Sequence, residues 1–432
     1  MTRAPEPLTQ GMDARRSRAR QGTISFFGNF GTQNLGNEST LRAILTGVRK
    51  HLPGTAVNCI CPGPEEASAE HGIAAVQMSY RYASDFQARS GRSSRGFLPK
   101  LLRRLFIRVP LEIIEWVKAF RALKHTRMLV MTGTGMLGDF GIGPFDLHYE
   151  IFKWAAVAKL RGAQVLFVSV GAGPIDSKLS RWLVKRALSL ADYRSYRDAF
   201  SKSYLAGIGI DTHGDSVYPD LAFTLRPDPL AVQGRQGAGR VVGIGLMDYF
   251  GKHWTESSQR LHDDYVREMA AFCAWLLERG YTLRLLIGDL AYDKHIKADV
   301  LQALRSLRAD LPTARIVDEP VTSIESLVAQ LSTIDVLAGT RFHNILLALL
   351  LHKPVVALSY HEKIDALMAS VDLAAYVENV SGLHLDRLVE RFTALERNAG
   401  TIKAVVARKV QEARSALDRQ YEAIFAASCR TS

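Results

Sequence analysis

Short apolar runs recur from one end of the chain to the other, each about as long as a buried strand and each followed by a stretch with helical spacing. GTISFFGNF, AVNCICPG, RMLVMTGTGML, QVLFVSVGAGPI and YRSYR alternate with LRAILTGVRKHLPG, LHYEIFKWAAVAKLRGA and SKLSRWLVKRALSLA. Strands joined through helices lie parallel, and a parallel sheet needs helices on both faces to bury it. After the Pro, Gly and charge-rich stretch RPDPLAVQGRQGAGR the alternation starts again with VVGIGL and continues through YTLRLLIGD, ARIVDE, IDVLAG and PVVALSY. The 432 residues also exceed what one hydrophobic core usually serves. The fold class expected is α/β, as two doubly wound parallel-sheet domains facing a cleft, with one larger sheet as the alternative. Residues 1–21 read as a disordered basic leader, 22–230 as the first domain, 240–400 as the second, and 401–432 as a C-terminal helix.

Composition narrows the function classes. At 47% hydrophobic and 23% charged residues the chain resembles a soluble globular protein with a large core. Four scattered cysteines suit neither a disulfide framework nor a zinc site, so a reducing cytoplasm is expected. The densest apolar run, residues 345 to 351, covers about a third of the ~20 residues needed to span a bilayer. Much of the net charge of +12 lies in residues 89–127, where eleven Lys/Arg face only Glu112 and Glu115. There, cations interleave with Leu, Phe, Ile and Trp. This segment either rests as a basic amphipathic helix on an anionic inner membrane leaflet or covers the sheet with its apolar side. No base-reading module accompanies the charge, so nucleic acid is not expected as a partner.

The stretch TIDVLAGTRFHNILLALLLHKPVVALSYHEK reads as one strand-helix-strand unit. Ligands of open parallel sheets bind beyond the carboxyl ends of strands, where helix N-termini offer free N-H groups to anions. Arg341 and His343 stand at that junction, and Lys363 follows the carboxyl end of the next strand. Arg197 likewise follows DYRSY and precedes a helix with Asp198 or Ser201 in its first turn. In the loop NFGTQNLGNES, Asn34, Gly36 and Asn37 either face an acceptor or simply make turns. Tyr249 and Trp254 either stack on a sugar or pack in the core.

Together these residues resemble the polysaccharide pyruvyltransferase family. GTRFHNILLALLLHKPVVALSYHEKIDALM is similar to its C-terminal signature of a strand, Arg-x-His, an apolar helix, a Pro-led strand, then Tyr and Lys. GNFGTQNLGNESTLRAIL resembles its N-terminal Gly and Asn loop, and MTGTGMLGD, SVGAGPI and YRDAFSKSYLAGIG resemble its middle motifs. Asn37 stands where an Asp is common, and GTG replaces a Gly triplet. The resemblance implies a fold similar to glycosyltransferase B. It also implies transfer of a pyruvyl group from phosphoenolpyruvate to hydroxyls of a sugar in a polysaccharide or lipid-linked precursor, forming a ketal. Phosphoenolpyruvate would then be a co-substrate, with no cofactor and no metal.

Under that resemblance Arg197, Arg341 and Lys363 would bind the donor's anionic groups, because Arg engages carboxylate or phosphate bidentately. His343 would move protons, and Asn34, Gly36, Asn37 and Tyr249 would lie toward the acceptor. Two further classes remain open on the same architecture: a nucleotide-sugar-dependent glycosyltransferase and a noncatalytic sugar-binding module.

Overall fold

The computed structural model describes residues 22–79, 109–138, 142–226, 240–250, 256–308, 310 and 312–430. Among the described residues seven strands form the first sheet: β1 (Thr23–Phe27), β2 (Val57–Cys61), β3 (Ala74–Gln77), β4 (Thr126–Thr132), β5 (Gln164–Val170), β6 (Tyr193–Tyr196) and β7 (Ser216–Val217). Their order is β3-β2-β1-β4-β5-β6-β7, and every pairing is parallel. A second parallel sheet contains β8 (Val241–Gly245), β9 (Thr282–Leu286), β10 (Ile316–Val317), β11 (Val336–Gly339), β12 (Val355–Ser359) and β13 (Val377–Asn379), in the order β10-β9-β8-β11-β12-β13. The alternation of the sequence therefore resolves into two sheets, not one.

Both sheets are covered on each face, as their apolar runs require. In β1, Ile24, Phe26 and Phe27 are completely buried, and all five residues of β12 are buried. Chain direction across the sheet reverses between β1 and β4 in the first sheet and between β8 and β11 in the second. Crevices open at such switch points because neighbouring connections leave on opposite faces. The helix Leu35–His51 follows β1 and the helix Phe342–Leu350 follows β11, so the two switch points direct two helix N-termini toward the junction of the domains.

The last helix, Ala399–Arg430, leaves the second sheet and packs against the first domain. Gly47 in the helix Leu35–His51 allows this approach, since a Cβ there would stand 2.8 Å from the Tyr421 ring. At the preceding position, fully buried Gln420 donates from Nε2 to Ser195 Oγ (2.7 Å) and Tyr193 OH (3.3 Å), and its Oε1 accepts from Ser169 Oγ (3.1 Å). The helix thus contributes a polar plug beneath β5 and β6. Gln420→Leu keeps approximate size but strands these hydroxyls. It should cost about 1–3 kcal/mol, read as a lower denaturation midpoint; an unchanged midpoint would show that the plug does not fasten the helix.

Candidate active site

Local sequence sets each polar side chain at a strand's carboxyl end. β11 stops at Gly339, and Arg341 takes the extended N-cap geometry (φ −75°, ψ 128°) before the helix Phe342–Leu350, whose mean composition is that of core. β6 stops at Tyr196, and Asp198 caps the helix Ala199–Gly207 by accepting from Ser201 N (2.7 Å). Arg197 is held between them. After β12, His361 caps the helix Glu362–Ser370, so Lys363 sits in its first turn.

Arg341 does not stand free. Its Nε donates to Asp293 Oδ2 (2.8 Å) and its Nη2 to Asp293 Oδ1, a bidentate pair with the carboxylate fully buried. Burial would weaken the guanidinium's hold on its proton, but Asp293 more than offsets this and pushes its pKa up. Asp293 also accepts from Asp248 N (3.0 Å) and Asp289 N (3.2 Å). One carboxylate therefore ties together the chain after β8, β9 and β11. Sequence reading missed Asp293; two acids four residues apart just beyond a strand's end were the signal available.

The same network crosses between the domains. Asp289 Oδ2 accepts from Asn34 Nδ2 (2.7 Å), while Asn34 Oδ1 caps the helix Leu35–His51 by accepting from Gly36 N (3.0 Å) and Asn37 N (3.3 Å). Leu35 N donates to Gly288 O, and Leu290 N to Gln33 O. Asn34 thus uses both ends of its amide on the protein. Gly36 is a contact point as well, because a Cβ on it would lie 2.1 Å from His343 Nδ1. Asn37 is half-buried in that same first turn, and Tyr249 is buried with its ring 6.1 Å from that of Tyr360. Trp254 lies outside the described residues.

Arg197, Arg341, His343 and Lys363 come together where the domains meet. The Arg197 guanidinium lies 4.8 Å from the centre of the Phe342 ring, crossing from the first domain to the second. It faces Asp198 and Asp220 at 3.5 Å each, and burial holds the Asp220 carboxyl above its usual range despite that cation. Lys363 Nζ stands 4.9 Å above the Tyr360 ring. Burial alone would raise the Tyr360 phenol, but Lys363 and Arg341 outweigh it and hold the phenol below its usual value.

His343 is half-buried between these cations, and its Nε2 has no hydrogen-bond partner among the described residues. Burial, then Arg197, then Lys363 push its pKa down from 6.5 to about 3. The ring is therefore neutral, with a basic nitrogen in a cationic setting. An anion entering between Arg197 and Lys363 would reverse that field. Elsewhere, Glu38, Glu70 and His71 bring ligand atoms within 4.8 Å of one another, a spacing a metal ion could use. Glu38 is already bonded to Gly31 N (2.8 Å) and His71 Nε2 (2.9 Å), which anchors the loop after β1.

Comparison with known proteins bears on the family and on the fold. The sequence model of the family described as polysaccharide pyruvyl transferase matches residues 34–362. The amylovoran biosynthesis protein AmsJ of Erwinia amylovora is 20% identical over 416 residues, covering 90% of this chain and 96% of AmsJ. In fold, the chain is similar to UDP-GlcNAc 2-epimerase of Neisseria meningitidis bound to UDP-GlcNAc (TM-score 0.57, 12% identity, 89% of this chain and 93% of that one). It is also similar to MurG of Acinetobacter baumannii (TM-score 0.53, 12% identity, 93% and 98%). The architecture is thus like that of glycosyltransferase B.

The low pKa of His343 has a consequence for stability. Between pH 6.5 and about 3 the unfolded chain takes up a proton that the folded site refuses, so this residue makes stability fall as pH falls through that window. His343→Gln removes the term. Denaturation midpoints of the two proteins should diverge in favour of the variant on going from pH 7 to pH 5; parallel pH profiles would contradict a depressed pKa.

Proposed function

Since the chain belongs to the polysaccharide pyruvyl transferase family, we propose that it moves a pyruvyl group from phosphoenolpyruvate to two hydroxyls of a glycan acceptor, forming a ketal. The carrying observation is the neutral His343, with a free ring nitrogen, set between Arg197 and Lys363. Phosphoenolpyruvate brings a carboxylate and a phosphate, which suit those cations, with the outer edge of Arg341 beside them. Its charge would raise the proton affinity of His343 at the moment the donor binds. The ring can then protonate the donor's methylene carbon, and a sugar hydroxyl adds to the adjoining carbon while losing its proton. Phosphate then leaves that carbon as its C–O bond breaks, and a second hydroxyl adds there, its proton passing to the departing phosphate, which closes the ketal. No cofactor or metal enters this scheme. Asn37 and Tyr249 stand on the acceptor side, and the helix first turn fixed by Asn34 and Gly36 shapes that side.

The family supports pyruvyl transfer in polysaccharide biosynthesis, and the likeness to nucleotide-sugar enzymes extends only to fold. We also propose that the protein works in the cytoplasm and meets an anionic membrane surface peripherally, where lipid-linked glycans would present their hydroxyls.

Two substitutions separate donor binding from chemistry. Lys363→Gln removes a cation and should weaken donor binding on the order of tenfold, read by calorimetric titration. His343→Gln should bind the donor nearly as well as the wild type yet form product roughly 10²- to 10⁴-fold more slowly. Near-normal turnover in His343→Gln would make this histidine structural, and stabilisation by UDP-sugars but not by phosphoenolpyruvate would favour a glycosyltransferase.

A further inference from the structure

The helix Val109–Ala122 is built the wrong way round for a helix that covers a sheet. Its acids point inward: Glu112 accepts from Tyr149 OH (2.7 Å) and lies 3.5 Å from the buried Lys153 ammonium, and Glu115 is largely covered. Trp116 is tied to the same cluster, its Nε1 donating to Tyr149 OH (2.9 Å). The outward arc instead carries Leu111, Ile113, Ile114, Val117 and Phe120, each between 40% and 59% exposed. Lys118 and Arg121 stand exposed on the same arc, Lys124 is exposed in the turn just past the helix end, and Glu112 and Glu115 are both half-buried. For residues 89–127 the sequence left open a basic amphipathic helix resting on an anionic leaflet or one covering the sheet with its apolar side; residues 89–108 lie outside the described residues, and in the helix that is described the apolar side faces outward.

The surface continues onto the neighbouring helices. The Arg161 guanidinium lies 3.5 Å from the centre of the Phe120 ring, and Leu160 beside it is 71% exposed. On the helix Lys178–Ser189, Trp182 is 48% exposed and 6.0 Å from Phe152, with Arg186 at 5.7 Å from its ring. Exposed contiguous apolar surface of this kind is uncommon on soluble monomers unless something docks there. Aliphatic and aromatic side chains interspersed with cations match the acyl and headgroup layers of an anionic bilayer, which accepts apolar side chains and attracts Lys and Arg together.

We infer that this three-helix face, centred on Ile114, Val117 and Arg121, is the surface by which the protein sits on a bilayer with anionic headgroups. This rests on the peripheral contact proposed above and is independent of the donor chemistry. The face lies wholly on the first domain, away from the junction residues Arg341, His343 and Lys363 of the second.

The test is sedimentation of the full chain with vesicles of phosphatidylcholine alone or with added phosphatidylglycerol. Binding should require phosphatidylglycerol and weaken with salt. The pairs Ile114→Asp with Val117→Asp, and Arg121→Glu with Lys124→Glu, should each weaken it on the order of tenfold or more. Calorimetric phosphoenolpyruvate binding should be unchanged in both, so a failure of the donor reading would show in the wild type without touching this test. No vesicle binding by the wild type, or binding indifferent to both pairs of substitutions, overturns the inference. So does an apolar-pair variant that turns a dimer into a monomer on gel filtration with vesicle binding intact, since a second copy would then cover the face. A fall of several degrees in its melting temperature without vesicle binding by the wild type would assign the face to other residues of the chain, and likewise overturns it.

Discussion

The Arg341–Asp293 pair is the constraint on which the junction depends. A fully buried carboxylate is costly unless every lone pair is used, and here a guanidinium edge and two backbone N-H groups use them. Because those donors come from the ends of three different strands, the pair fixes the rim of the second sheet as one piece. From that rim Asp289 reaches Asn34, and Asn34 caps the helix whose first turn meets His343. The registration of one domain on the other is therefore set by the same polar chain that positions the titratable ring.

This arrangement also separates two roles that arginine plays within a few ångströms. Arg341 spends one edge on structure, while Arg197 is held by longer contacts to Asp198 and Asp220 and by the face of Phe342. Lys363 rests over a phenol, Tyr360, instead of a carboxylate. Burial first, and then the positive field of Arg197 and Lys363, explain why His343 loses its proton so readily. In the reaction proposed above, a cationic pocket that keeps a histidine neutral until an anion arrives would couple donor binding to protonation.

Much of this was legible in one dimension. Parallel α/β architecture follows from apolar runs spaced by helices, because only crossover connections make such runs adjacent and parallel. The placement of Arg197, Arg341, His343 and Lys363 at strand ends follows from the same pattern, since side chains just beyond a strand must emerge at its rim. What was not legible were the partners. Asp293, Asp220 and Phe342 are distant in sequence from the cations they hold, and no local spacing marks them as matched. The helix Val109–Ala122 shows the same limit from the other side, as its periodicity is amphipathic whichever face turns inward.

Sequence by itself determined the layers, the strand ends and the chemical identities gathered there, because these depend on periodicity and on the short reach of the chain. Tertiary structure alone decided that Arg341 is clasped while Lys363 is not, that Asn34 joins the domains, and that His343 is stripped of its proton. Those properties arise from burial and from charges brought together across hundreds of residues, and neither quantity exists until the two sheets have met.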